Sequence, residues 1–140
     1  MRLVLDTNVF INALLTGDSP SARLIVLWRA KKFALFTAAE QIEELARVTR
    51  YPKIHVRLPP ALAGRLMNDL RDLAAIIAKL PRVERSPDPD DNYLLALAEA
   101  SHADYLVTGD KGLLALKRHK STRIVTSAAL MDLLKIRTIE

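Results

Sequence analysis

Cysteine is missing from all 140 residues, which excludes disulfides, thiolate metal ligands and thiol nucleophiles and fits a reducing compartment. Glycine is nearly as scarce, at four positions, and none of these forms the Gly-rich loop that cradles a nucleotide phosphate. The three histidines, His55, His102 and His119, lie far apart without i,i+4 or comparable spacing, which argues against zinc. Aromatic residues make up 5% of the chain. The one tryptophan, Trp28, sits among Leu24, Ile25 and Leu27 and reads as core rather than as a base-stacking surface. No apolar run reaches transmembrane length, and the first is interrupted by Asp6 and Asn8. Neither a signal peptide nor a membrane span is therefore expected, and a cytoplasmic location is.

What is present suits a globular protein. Hydrophobic residues account for 50% and charged residues for 26%, and the length suits one domain, 1–140, with a real core. A net charge of +5 and a pI near 9.7 favour anionic partners, of which nucleic acid is the commonest large one.

Short apolar runs alternate with helical ones. Strands are expected at 3–5, 33–37, 104–108 and 122–126, with a short one at 82–85. Helices are expected at 8–15, from Pro20 behind a Ser19 cap to about Lys31, at 38–50, at 59–80, at 88–101, at 111–118 and at 127–135. This alternation predicts an α/β fold, a three-layer α/β/α sandwich on a mostly parallel sheet of four to five strands. Helix 20–31 carries five apolar residues in succession, LIVLW, and VFINALL has a similar surplus. Such a surplus points either to a partner or to deeper burial.

Ligands of open parallel sheets bind beyond the carboxyl ends of the strands. Asp6 and Asp110 follow strands directly. Asp88, Asp90 and Asp91 open a helix, and Glu40, Glu43 and Glu44 lie on the helix after the second strand. Each has an ordinary structural role available. Asp6 and Asp88 suit helix caps, Asp110 a turn or another cap, and Glu43 an i,i+4 pair with Arg47. Gathered at one edge, however, two carboxylates about 5 Å apart repel by about 3 kcal/mol at an effective dielectric near 20. A hard divalent cation such as Mg²⁺ or Mn²⁺ removes that conflict. On the helix, periodicity buries Ile42, Leu45, Ala46 and Thr49 and groups Glu44 with Glu40 and Val48, so geometry leaves the choice between the two acids open.

The segments LVLDTNVFINAL, EEL followed by Val48, and DPDDNYLLALAEASHADYLVTGDKGLL resemble the PIN-domain ribonucleases, above all the small VapC-type toxins of toxin-antitoxin pairs. The resemblance spans essentially the whole chain. It implies a metal-dependent endoribonuclease whose catalytic and metal-holding acids map to Asp6, Glu44, Asp91 and Asp110. Glu44 is chosen because the family's helix acid precedes a Leu with Val three positions beyond it. The resemblance further places Thr7, Asn8, Asp88, Asn92 and Thr108 in supporting positions. It implies Mg²⁺ or Mn²⁺ as cofactor, an RNA substrate, a cognate antitoxin and a homodimer. The chain departs from the family twice: Gly112 stands where an Asp is common, and His102 where a Gly often precedes the strand.

Basic clusters at 47–57 and 117–123 could steer an RNA backbone. Two other readings are a catalytically idle PIN scaffold that binds RNA or protein, and a receiver-like signalling domain. The latter needs paired acids after the first strand, whereas here most acids come late.

Overall fold

The computed structural model describes residues 1–139. A six-stranded sheet runs through the molecule in the order β3-β2-β1-β4-β6-β5. The central strands β1 (Arg2–Leu5), β2 (Ala34–Thr37), β4 (Tyr105–Val107) and β6 (Thr122–Val125) are parallel. β3 (Ala75–Ile76) extends them in parallel at one edge, and β5 (Arg118–His119) pairs antiparallel with β6 at the other.

Alternation along the strands builds two cores. Leu3 and Leu5 of β1, Leu35 and Val107 face one side, where α1 (Thr7–Leu15), α2 (Pro20–Arg29), α3 (Ala39–Val48), α5 (Pro60–Leu73) and α8 (Ser127–Ile139) supply Phe10, Leu24, Trp28, Leu45, Leu66 and Leu130. Val4, Phe36, Leu106 and Ile124 face the other side, against Leu94, Leu95 and Leu97 of α6 (Asn92–Ser101) and Leu113 of α7 (Lys111–Leu116). The three-layer α/β/α arrangement predicted from the alternation is therefore present, with six strands instead of four to five. Trp28 is core, and the apolar surplus of α2 is largely buried between α1 and α8, with only Val26 among its large apolar residues strongly exposed.

The sequence reading fails between residues 50 and 85. The helix expected over 59–80 ends at Leu73, because Ala75 and Ile76 pair with Phe36 and Thr37 as an edge strand. The apolar run AAII satisfies a helical period as well as a strand, and the open edge of β2 decides the matter. Residues 82–85, expected as a strand, form none. A one-turn helix, α4 (Pro52–His55), starts at the proline that closes α3. The helix expected to reach 118 stops at Leu116, and Arg118 and His119 turn back as β5.

One departure from the family pattern is explained by the backbone. His102 closes α6 in the left-handed conformation at φ 52° and ψ 45°, the position where glycine is favoured after a helix. Among the described residues no helix is long and apolar enough to cross a membrane.

Candidate active site at the carboxyl edge of the sheet

Asp6 leaves β1 and caps α1 at once, its backbone amide bonded to Val107 O at 2.8 Å and its Oδ1 accepting from the Asn8 amide at 3.4 Å. The Thr108 hydroxyl, at the end of β4, donates to Asp6 Oδ2 at 2.6 Å. Asp6 and Thr108 are both buried. Thr108 Oγ1 also accepts from the Asp110 amide at 3.0 Å, and Asp110 in turn caps α7 through the Leu113 amide at 2.8 Å. The capping roles open to Asp6 and Asp110 are thus real, and they fix both carboxylates at one edge.

Asp91 ends a 3-10 turn, Pro89–Asp91, whose start is capped by Asp88 Oδ1 accepting from the Asp90 amide at 3.0 Å. Burial, with Asp6, Asp110, Asp88 and Glu44 adding like charge, pushes its carboxyl up from 3.8 to about 6. Asp6 is likewise raised, by burial first. Its hydrogen bonds from Thr108 and Asn8 oppose the rise, while Glu44 and Asp110 add to it. Asp6, Glu44, Asp91 and Asp110 therefore share one electrostatic field although they come from four separate segments of the chain.

The two helix acids have different surroundings. Glu44 is half-buried, and its Oε1 accepts a hydrogen bond from the Tyr93 hydroxyl at 3.3 Å. Glu40 is exposed and is not among the largest charge effects on Asp6 or Asp91, whereas Glu44 is. The buried stripe of α3 runs through Gln41 and Leu45 rather than through Ile42 and Ala46 as expected. Gln41 explains the shift: its amide nitrogen donates to Leu5 O at 2.6 Å and its Oε1 accepts from Thr37 Oγ1 at 2.7 Å. That fully buried bracket sets α3 against the ends of β1 and β2 and turns Glu44 inward.

Tyr93 went unnoticed in the sequence. Its hydroxyl joins Thr7 Oγ1, at 3.1 Å, to Glu44. Burial, reinforced by Glu44 and Asp6, raises it, so the hydroxyl keeps its proton. The available signal was a tyrosine in the first turn of an otherwise Leu- and Ala-rich helix, two residues beyond Asp91. Asn92 lies beside the acids in sequence and fastens the segment that leads to Asp91. Its Oδ1 accepts from the amides of Arg85, at 2.9 Å, and Ser86, at 2.7 Å.

Gly112 has a local reason. A Cβ there would sit 3.1 Å from Asp110 Oδ2 and 3.4 Å from Pro87 Cγ, so the missing side chain lets the 85–91 segment close against Asp110. The basic clusters divide. Arg47 is held more basic by Tyr51 and, to a smaller extent, by Glu44 and Asp90, which places it within reach of the acids. Arg118 and Arg123 instead pair across the hairpin at the amino end of β6, the opposite edge of the sheet. Expectation and structure part company there, because a hairpin must turn at the end where its second strand begins.

Among the described residues no group of three or more His, Cys, Asp or Glu side chains stands placed to hold a metal ion. The donor set nevertheless fits a hard cation: these are oxygen donors only, two of them with their charge disfavoured, and no hydrogen-bond donor is directed at Asp91.

Residues 2–112 match the PIN domain family. The chain belongs to that family. This PIN domain is 26% identical over 118 residues to the uncharacterized protein MJ1680 of Methanocaldococcus jannaschii, across 84% of this chain and 76% of the relative. In three dimensions it resembles a chain from the crystal structure of VapBC2 from Rickettsia felis bound to a DNA fragment from their promoter. The TM-score is 0.55 at 17% identity, over 89% of this chain and 97% of that one. At that identity the likeness is one of fold.

Proposed function

We propose that this PIN-domain protein is a divalent-metal-dependent endoribonuclease, the toxin of a toxin-antitoxin pair. The observation that carries the nuclease reading is the meeting of four acids, Asp6, Glu44, Asp91 and Asp110, in one field at the carboxyl edge of a parallel sheet. The toxin assignment rests on the fold shared with the VapBC2 chain and on the family motifs, and an antitoxin covering this edge is part of it.

Asp6, Asp91, Asp110 and Glu44 would hold Mg²⁺ or Mn²⁺. When bound, such an ion stabilises charge on the phosphate and lowers the pKa of water. The chain itself does the positioning. Thr108 aims Asp6 and ties it to the Asp110 amide, so both acids move as one unit. Tyr93 holds Glu44 while keeping its own proton. In-line attack of water on phosphorus breaks the bond to the 3′-oxygen and leaves a 5′-phosphate. Carboxylates suffice for this reaction, and no side-chain nucleophile is needed.

Cleavage of single-stranded RNA with Mg²⁺ tests the reading. Asp6→Asn and Asp91→Asn are each expected to lower kcat by about 100-fold or more, with circular dichroism unchanged. Glu44→Gln is expected to fall with them and Glu40→Gln to match wild type. Equal activity in wild type and Asp6→Asn would overturn the assignment. The second reading, an idle scaffold, is favoured by Gly112 and by the lack, among the described residues, of three acids placed to hold a metal ion. It requires binding of RNA or of a protein partner with no Mg²⁺-dependent product.

A further inference from the structure

A pocket of about 730 Å³ opens beside Asp110, walled by α1, the start of α2 and the start of α8. Its volume lies in the range that encloses small ligands. It shares Asn8, Thr108 and Asp110 with the acid edge, so whatever enters it lies against Asp110. Its chemistry differs from theirs. Asp110 is its only carboxylate, and Lys111 contributes a cation at the rim.

Part of the wall is an ordered polar chain. Asn12 Nδ2 donates to Ser21 Oγ at 3.3 Å, and Ser21 Oγ bonds to Ser127 Oγ at 2.9 Å, which joins three helices. Ser21 is buried. With its amide nitrogen engaged, Asn12 presents Oδ1 as an acceptor. No aromatic side chain lines the pocket, so it has no face on which a base could stack. A cation, fixed amide and hydroxyl groups, and no stacking surface suit a sugar and its phosphate rather than a base.

We propose that this pocket holds the ribose-phosphate of the nucleotide next to the scissile phosphodiester. Lys111 pairs with the phosphate, and Asn12 accepts a hydrogen bond from the ribose 2′-hydroxyl. The pocket then reads the backbone without reading sequence, and it separates RNA from DNA, which lacks that hydroxyl. The inference rests on the nuclease reading above and adds the substrate's placement and the source of its sugar preference.

The test uses fluorescein-labelled single-stranded RNA and DNA of the same sequence, about ten nucleotides long. Binding is read by anisotropy in EDTA, and RNA cleavage is read in Mg²⁺. Lys111 and Asn12 are both exposed, so Lys111→Ala and Asn12→Ala fold. Lys111→Ala is expected to weaken binding of both strands about fivefold and to flatten the dependence of log K on log salt by about 0.7. Its KM rises while kcat holds. Asn12→Ala is expected to weaken RNA about threefold and leave DNA unchanged.

An unchanged salt slope in Lys111→Ala would overturn the proposal, as would equal loss of RNA and DNA in Asn12→Ala, the mark of a purely structural clamp. If wild type cleaves RNA and both variants behave identically to it, the pocket has another occupant, such as a protein segment, and the nuclease reading stands. If Asp6→Asn cleaves as well as wild type, the nuclease reading itself falls, whatever Lys111 does.

Discussion

Asp91 is the residue whose environment most opposes its charge. Its carboxyl is pushed from 3.8 to about 6, by burial first and then by Asp6, Asp110, Asp88 and Glu44. A carboxyl with a folded-state pKa above its unfolded value destabilises the fold where it is ionised. Above pH 6 that penalty is fully present. As pH falls from about 6 toward 3.8 the native state takes up the proton first, and the penalty disappears. In EDTA the urea midpoint is therefore expected to rise between pH 7.5 and 5, and in Asp91→Asn this part of the rise should vanish. His102 carries strain of another kind, a left-handed backbone at φ 52° that costs a residue with a Cβ about 1–2 kcal/mol. His102→Gly is expected to stabilise by up to about 1 kcal/mol, raising Tm by a few degrees in a thermal melt. RNA cleavage should not change, since the residue lies at the far end of α6 from Asp91.

Among the elements, the segment from Arg85 to the 3-10 turn at Pro89–Asp91 is held more firmly than its irregular backbone suggests. Asn92 at the head of α6 accepts from two of its amides. The Arg85 guanidinium donates to Arg118 O at 2.6 Å and contacts His119 Nδ1 at 3.1 Å, and His119 Nε2 lies 2.9 Å from Glu99 Oε1. The segment is thus fastened to α6 and to the β5–β6 hairpin. Hydrogen exchange should show the Arg85 and Ser86 amides protected although neither lies in a helix or strand. Asn92→Ala should release that protection and lower kcat with it, because Asp91 rides on the same segment. Protection retained in Asn92→Ala would show that the coil is held by its other contacts.

At the scale of the whole molecule, the central strands and most helices were legible because their apolar periods are long enough to be unambiguous. Strand ends also announced Asp6 and Asp110. The two-residue strands β3 and β5 carry no period at all, and AAII reads as helix until the edge of β2 claims it. Within the site, proximity in sequence could not tell that Asn92 faces the 85–86 amides. The choice between Glu40 and Glu44 was illegible for a different reason. It depends on Gln41 reaching Leu5 and Thr37, and on Tyr93 arriving from a helix about fifty positions away. The resemblance of motifs supplied Glu44 where periodicity could not.

The brevity of those border strands also governs how the protein can associate. Each flank of the sheet ends in a pairing only two residues long, and on one flank the outermost strand begins with the charged Arg118. Too little backbone is left for an incoming chain to zip onto. Edge strands this short are poor templates for lateral growth of the sheet, which leaves helical faces and loops, whose specificity is written in side chains, as the larger surfaces for a second polypeptide.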